Sequence, residues 1–148
     1  RDWEKQFGRT HGGLFEQYHF DDADYILITM AALGAESKVA IDLLRKQGVK
    51  IGLARLRVFR PFPTEEVRNL AKKADLIVID RNISVGSEGA MFTEIKSALY
   101  QQSDSRVTGF IAGLGGKDVT YKDIEKICKK AINKTQTDHQ IWYGFKED

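Results

Sequence analysis

The sequence predicts a compact, three-layer, doubly wound α/β domain with a mainly parallel sheet, and three observations carry that expectation. Four short apolar runs recur along the chain, and a stretch with helically spaced apolar residues follows each one. The runs are continuous and rich in branched side chains, as befits strands covered on both faces. The resulting βαβαβαβα order, joined by right-handed crossovers, sets helices on both faces of a parallel sheet. At 148 residues the chain is one domain's worth. A chain of that size buries about 70% of its unfolded surface.

The elements follow in order. Residues 1–22 lack regular periodicity and are rich in aromatics, with Trp3, Phe7, Phe15, Tyr18 and Phe20 punctuated by Gly8, Gly12 and Gly13. They read as an extended arm packed on a surface, and His11 and His19 within it as ordinary loop histidines. "DYILITM" is the first core strand. "ESKVAIDLLRKQG" is a helix with Val39, Ala40, Leu43 and Leu44 on one face, Asp42 four before Lys46, and Gly48 where a terminating glycine belongs. "VKIGLARLRVF" is the next strand, and the loop "RPFP" follows it. A helix then starts at Thr64 as N-cap, with Glu65 and Glu66 in its first turn and Val67, Leu70, Ala71 and Ala74 inward.

"DLIVID" is the third strand, and the loop "RNISVGSEGA" leads to a helix carrying Met91, Phe92, Ile95 and Leu99. Ser87 and Glu88 are placed to cap it. "RVTGFIA" is the fourth strand, ending in "GLGGKDV". The last helix opens on Thr120, three residues before Asp123, in a capping-box-like start, and buries Ile124, Ile127, Cys128, Ala131 and Ile132. The tail "DHQIWYGFKED" reads as irregular. The expected division is an arm at 1–22, an α/β domain at 23–134 and a tail at 135–148.

Bulk properties exclude several functions. A net charge of +2, from 23 basic and 21 acidic residues, offers no electrostatic case for nucleic acid. Lys129 and Lys130 read as a solvated helix face. The single cysteine, Cys128, forms no internal disulfide and holds neither an iron–sulfur cluster nor a Cys-rich zinc site. It reads as a small apolar helix residue, and a chain without disulfides suits a reducing cytoplasm. "YILITMAALGA" falls short of the roughly 20 residues of a membrane span, and the sequence reads as one without a signal peptide. A chain opening on Arg1 reads as a piece of a longer protein.

In doubly wound folds, ligands bind at the loops after the strand C-termini. "GLGGKDV" suits a phosphate through its glycine amides, but it lacks the hydroxyl of a P-loop and the pattern G-x-G-x-x-G. It reads either as a phosphate seat or as a strand-to-helix turn. "SVGSEGAMF" does not match a G-x-S-x-G nucleophile elbow, and no histidine lies near Ser87. The strongest feature is the arginine strand. Alternation puts Arg55, Arg57 and Phe59 on one face, Arg60 stands at the exit, and Pro61 and Pro63 stiffen the loop. Three uses stay open: pairing within the domain, an interface, or capture of a ligand carboxylate or phosphate.

"FGRTHGGLFEQY", "DADYILITMAALGAESKVAIDLLRKQGVKIGLARLRVFRPFP", "VIDRNISVGSEGAMFTEIKSALY" and "GFIAGLGGKDVT" resemble the C-terminal part of the α subunit of pyruvate:ferredoxin oxidoreductase, and the likeness runs on to "WYGFKE". The resemblance implies a domain like the transketolase C-terminal domain. It further implies a complex that uses thiamine diphosphate, magnesium and [4Fe-4S] clusters to turn pyruvate and coenzyme A into acetyl-CoA and carbon dioxide, with ferredoxin as acceptor. In that family the cofactor lies between domains outside this region, and the chain has no Gly-Asp-Gly magnesium-diphosphate signature. No catalytic, cofactor or metal residue is therefore assigned here. The expected interface comprises Arg57, Arg60 and Phe62 with Asp80, Arg81 and Asn82, facing other domains or subunits of the complex. The rival readings are the same role for 2-oxoglutarate, a branched-chain 2-oxoacid or oxalate, and a free-standing nucleotide- or phosphate-binding domain.

Overall fold

The computed structural model describes residues 2–9, 13–133 and 139–145. His11 lies outside the described residues. In chain order the elements are α1 (Asp2–Phe7), β1 (Phe15–Tyr18), β2 (Tyr25–Met30), α2 (Leu33–Lys46), β3 (Ile51–Leu56) and α3 (Thr64–Ala71). They continue with β4 (Asp75–Asp80), α4 (Ala90–Leu99), β5 (Val107–Ile111), α5 (Tyr121–Ile132) and β6 (Ile141–Trp142). Six strands form one sheet in the order β1-β3-β2-β4-β5-β6. All its pairings are parallel except β1 with β3.

The four central strands are the four apolar runs. Ile26, Leu27 and Ile28 of β2 are all buried because successive side chains feed opposite cores. On one face α3 and α4 cover Ile26, Ile28, Ala54, Leu56, Leu76 and Val78. On the other, α2 and α5 cover Leu27, Leu53, Ile77, Ile79 and Phe110. The chain leaves β2 towards β3 and leaves β4 in the opposite direction, towards β5, so the topological switch lies between β2 and β4.

Helix ends follow local chemistry, with corrections. Gly48 adopts φ 84 after α2. Its N–H bonds Arg45 O at 2.9 Å, and Val49 N–H bonds Leu44 O at 3.1 Å, closing a Schellman motif. Thr120 and Asp123 form the capping box of α5. Thr64 is the first helical residue of α3, after Pro63, and it caps nothing. Val39 is exposed, while Ile41 and Ser37 share the buried face of α2 with Ala40 and Leu44. Asp42 accepts the Tyr18 hydroxyl at 2.8 Å and lies 3.3 Å from His19 Nε2, which ties α2 to the end of β1.

Both ends of the chain depart from the expectation. The expected arm contains helix α1 and strand β1, which pairs antiparallel with β3, Glu16 opposite Arg55. The tail supplies β6, set against Phe110 and Ile111 of β5. Both strands extend the sheet beyond the 23–134 core, because an edge strand needs an open ladder beside it and little apolar content of its own.

Candidate functional site

The loops after β2, β3, β4 and β5 gather at one sheet edge and hold every predicted site residue except Asp80, which ends β4. β3 ends at Leu56, so strict alternation stops there. Phe59 and Phe62 swing towards the α3–α4 core and meet edge to face at 5.9 Å. Arg55 points to the other face. It lies across Gly34, where a Cβ would come within 2.2 Å of Arg55 Cδ, and it donates from Nε to Ala31 O at 3.1 Å. Ala31 holds a left-handed turn (φ 54) at the start of α2, a conformation that costs a non-glycine residue energy and needs such bracing.

The arginines are paired inside the domain. Glu16 on β1 lies 3.3 Å from Arg55, 3.5 Å from Arg57 and against Lys38. The Lys38 hydrogen bond, ahead of those from the two arginines, holds the Glu16 carboxyl below its ordinary range. Arg60 pairs with Glu94 of α4 at 2.6 Å and covers the Phe59 ring at 4.3 Å, yet its side chain stays 59% exposed. The cations that looked free of the core thus find partners on β1 and α4, and their outer surfaces still face solvent.

Asp80 corrects the expected interface. It is 1% exposed, and its carboxylate points inward beneath the start of α4. Oδ1 accepts the Met91 N–H at 3.1 Å; Oδ2 accepts the Phe92 N–H and the Gln140 Nε2–H, each at 3.0 Å. Asn82 Oδ1 takes the Ala90 N–H at 3.0 Å, and Gln140 Oε1 takes that of Gly89 at 2.5 Å. These three side chains, rather than Ser87 or Glu88, satisfy the orphan donors of the helix. Gly89 is obligatory, since a Cβ there would meet Asp80 Oδ2 at 2.3 Å. Burial raises the Asp80 carboxyl above its ordinary value, against the pull of its three hydrogen bonds, and Glu88 adds to the rise. Glu88 itself pairs with Lys96 at 2.5 Å. Asn82 and Arg81 remain exposed, and Arg81 leans over Gly113 O at 3.4 Å and Lys117 O at 3.5 Å.

At the topological switch a cleft of about 280 Å³ is lined by Ala32, Leu33, Glu36, Arg81, Asp118, Val119 and Thr120. It makes a poor phosphate seat. Glu36 Oε2 already takes the Tyr121 N–H at 3.0 Å, and Asp123 takes the Thr120 N–H at 3.0 Å. An incoming anion would meet those carboxylates and Asp118. The glycine loop itself is a tight turn, with Gly113, Gly115 and Gly116 all at positive φ.

The family model for pyruvate:ferredoxin oxidoreductase core domain II matches residues 23–124. The chain belongs to that family. It is 41% identical to ketoisovalerate oxidoreductase subunit VorA of Pyrococcus abyssi and 40% identical to pyruvate synthase subunit PorA of the same organism. Each match covers 99% of this chain and 38% of the relative, so the chain spans well under half the length of the relatives it matches. Among solved structures, 2-oxoglutarate:ferredoxin oxidoreductase from Magnetococcus marinus superposes with a TM-score of 0.63 at 16% identity, over 89% of this chain and 21% of that one. A split-gene transketolase, an inactive beta4 tetramer, gives 0.64 at 12% identity, over 79% and 41%. These two establish the shared fold, including its transketolase-like character.

The [4Fe-4S] clusters that the resemblance implies for the whole complex need several cysteine ligands, and the single cysteine of this chain does not supply them. Cys128 lies buried on α5, and burial pushes its thiol up to about 12. Among the described residues no three His, Cys, Asp or Glu side chains gather in a way that could hold a metal. No helix among them is long and apolar enough to cross a membrane.

Sequence reasoning missed Glu16, the acceptor of the arginine strand, and Gln140, the tail residue beneath α4. "FEQY" is too short to show a period, and a lone glutamine in a polar tail gives no signal.

Proposed function

We propose that this chain is the assembly domain of the α subunit of a thiamine-diphosphate-dependent 2-oxoacid:ferredoxin oxidoreductase. The complex is cytoplasmic and converts pyruvate and coenzyme A to acetyl-CoA and carbon dioxide with ferredoxin as acceptor, and the domain supplies no reacting group. The observation that carries the reading is the match to about 40%-identical subunits of such enzymes, joined to a sheet edge whose polar groups are largely taken up within the fold. The docking surface consists of Arg57, Arg60, Phe62, Arg81 and Asn82, with Asp80 holding α4 from within.

Arg60→Ala tests it. The Arg60–Glu94 pair is largely exposed, so the isolated chain loses less than about 1 kcal/mol. In the complete complex, the same substitution removes a desolvated interface cation and costs about 2–5 kcal/mol of association. Native mass spectrometry of the complex beside thermal melts of the chain reads both. Equal losses in the two settings reassign Arg60 to internal pairing alone. Calorimetry of the chain with nucleotides or thiamine diphosphate is expected to give no tight binding, and saturable micromolar heat would favour the phosphate-binding reading.

A second reading shares the architecture and differs in substrate. The identities to ketoisovalerate oxidoreductase subunits, 41% and 44%, equal or exceed those to pyruvate synthase subunits of the same genus. A branched-chain 2-oxoacid is thus the alternative to pyruvate. Turnover of the complete complex with each substrate separates the two.

A further inference from the structure

We propose that Gln140, on the tail just before strand β6, is a positioning residue that sets the β4–α4 loop, residues 81–89, and couples the seating of the tail to the docking surface. The docking half of this inference rests on the function proposed above; the coupling rests on geometry alone.

Gln140 is 8% exposed and its amide is fully engaged. Oε1 accepts the Gly89 N–H, and Nε2 donates to Asp80 Oδ2 at 3.0 Å and to Phe110 O at 3.4 Å. The slot is built for it. A Cβ on Gly109 of β5 would stand 2.6 Å from Gln140 Cγ and from the Phe92 ring. One side chain from the tail thus touches the last residue of the loop, the carboxylate that caps α4, and the neighbouring strand. The loop is otherwise braced by Ser84 N–H to Glu88 O at 3.0 Å, Ser87 N–H to Ser84 O at 2.9 Å, and the Asn82 cap. It displays Val85 fully to solvent as an apolar tip.

The strand of the tail is short. β6 has two residues, supported by Tyr143 N–H to Ile111 O at 2.9 Å, the Tyr143 hydroxyl on Asp123 at 3.1 Å, Lys117 on the Gly144 carbonyl, and the packing of Ile141 and Tyr143 on the core. A two-residue edge strand opens at lower free-energy cost than the sheet it joins. When the tail lifts, Gly89 N–H loses its acceptor and Asp80 loses a donor, so the loop loosens at its exit. Because coupling is reciprocal, a partner that grips the loop also holds the tail down. Trp142 and Phe145, stacked edge to face at 5.2 Å and still partly exposed, ride on the same tail. The partner this surface fits is a protein face with an apolar pocket for Val85.

The test uses the full-length subunit, free and in its complex, with Gln140→Ala and Gln140→Leu. Leucine refills the slot without hydrogen bonds, so it guards against simple collapse of the packing. Hydrogen–deuterium exchange at residues 83–92 is expected to rise at least tenfold in both variants of the free subunit, with α2 and β2 unchanged. The complex is expected to dissociate at several-fold higher concentration. Unchanged exchange at 83–92, a rise confined to the alanine variant, or an equal rise throughout α2 and β2 overturns the positioning role. A loosened loop with unaltered assembly supports positioning and overturns the docking role of this loop.

Discussion

Replacing Asp80 with asparagine removes one acceptor from a buried site that has three donors. The carboxylate accepts from Met91 N–H, Phe92 N–H and Gln140 Nε2 at 3.0–3.1 Å. An amide offers one oxygen. Its best orientation keeps that oxygen at the Oδ2 position, serving Phe92 and Gln140, and turns its own NH₂ towards the Met91 N–H. Gln140 cannot flip to compensate, because its oxygen is committed to Gly89. One buried N–H is then unsatisfied and another donor faces it, at a cost of about 1–3 kcal/mol. Losing the negative charge at the N-terminus of α4 adds about 0.3–1 kcal/mol. Relief from burying an ion returns part of this. The expected net loss at pH 7 is about 2–3 kcal/mol, read by urea unfolding with an unchanged m-value. The pH dependence has a definite sign. Folding raises the Asp80 carboxyl, so its protonation favours the native state: that stability is full below the ordinary aspartate value and is lost as pH rises through the folded pKa. The gap between wild type and Asp80→Asn therefore widens on acidification towards pH 4. A loss below 1 kcal/mol, or a gap that narrows towards acid, refutes the reasoning.

Two further outcomes follow from the same contacts. Gly52→Ala is expected to destabilise by about 1–3 kcal/mol, because a Cβ on β3 would stand 2.6 Å from the His19 carbonyl oxygen, a backbone atom that cannot rotate away; a loss under 0.5 kcal/mol in chemical denaturation would show that the β1–β2 connection yields freely. Glu16→Gln is expected to cost about 0.5–1 kcal/mol at pH 7 and nothing well below the ordinary glutamate value, since the lowered Glu16 carboxyl contributes stability that disappears as pH falls through its folded pKa. Melts at pH 7 and pH 3 check it, and a cost undiminished in acid would mean that packing, not charge, holds β1.

The sequence by itself determined the layered core. Burial on both faces writes continuous apolar runs such as "YILITM" and "LIVID", and burial on one face of a helix writes the spacing of Ile124, Ile127, Cys128 and Ala131. Such signals are local, as are Gly48 at the end of α2 and the Thr120–Asp123 box at the start of α5. The tertiary structure decided where the polar groups go. Arg55 finds Glu16 across 39 residues, and Gln140 finds Asp80 across 60. The strands that make those meetings possible, β1 and β6, are four and two residues long. An edge strand is stabilised by the ladder it joins rather than by its own pattern, so no local period could announce it. Asp80, Arg81 and Asn82 stand next to one another in the chain, yet the first, at the end of β4, lies beneath α4 and the other two, in the loop beyond it, face solvent. A carboxylate's destination depends on which donors the fold leaves unmatched, and that is settled only when the helix, the tail and the sheet come together.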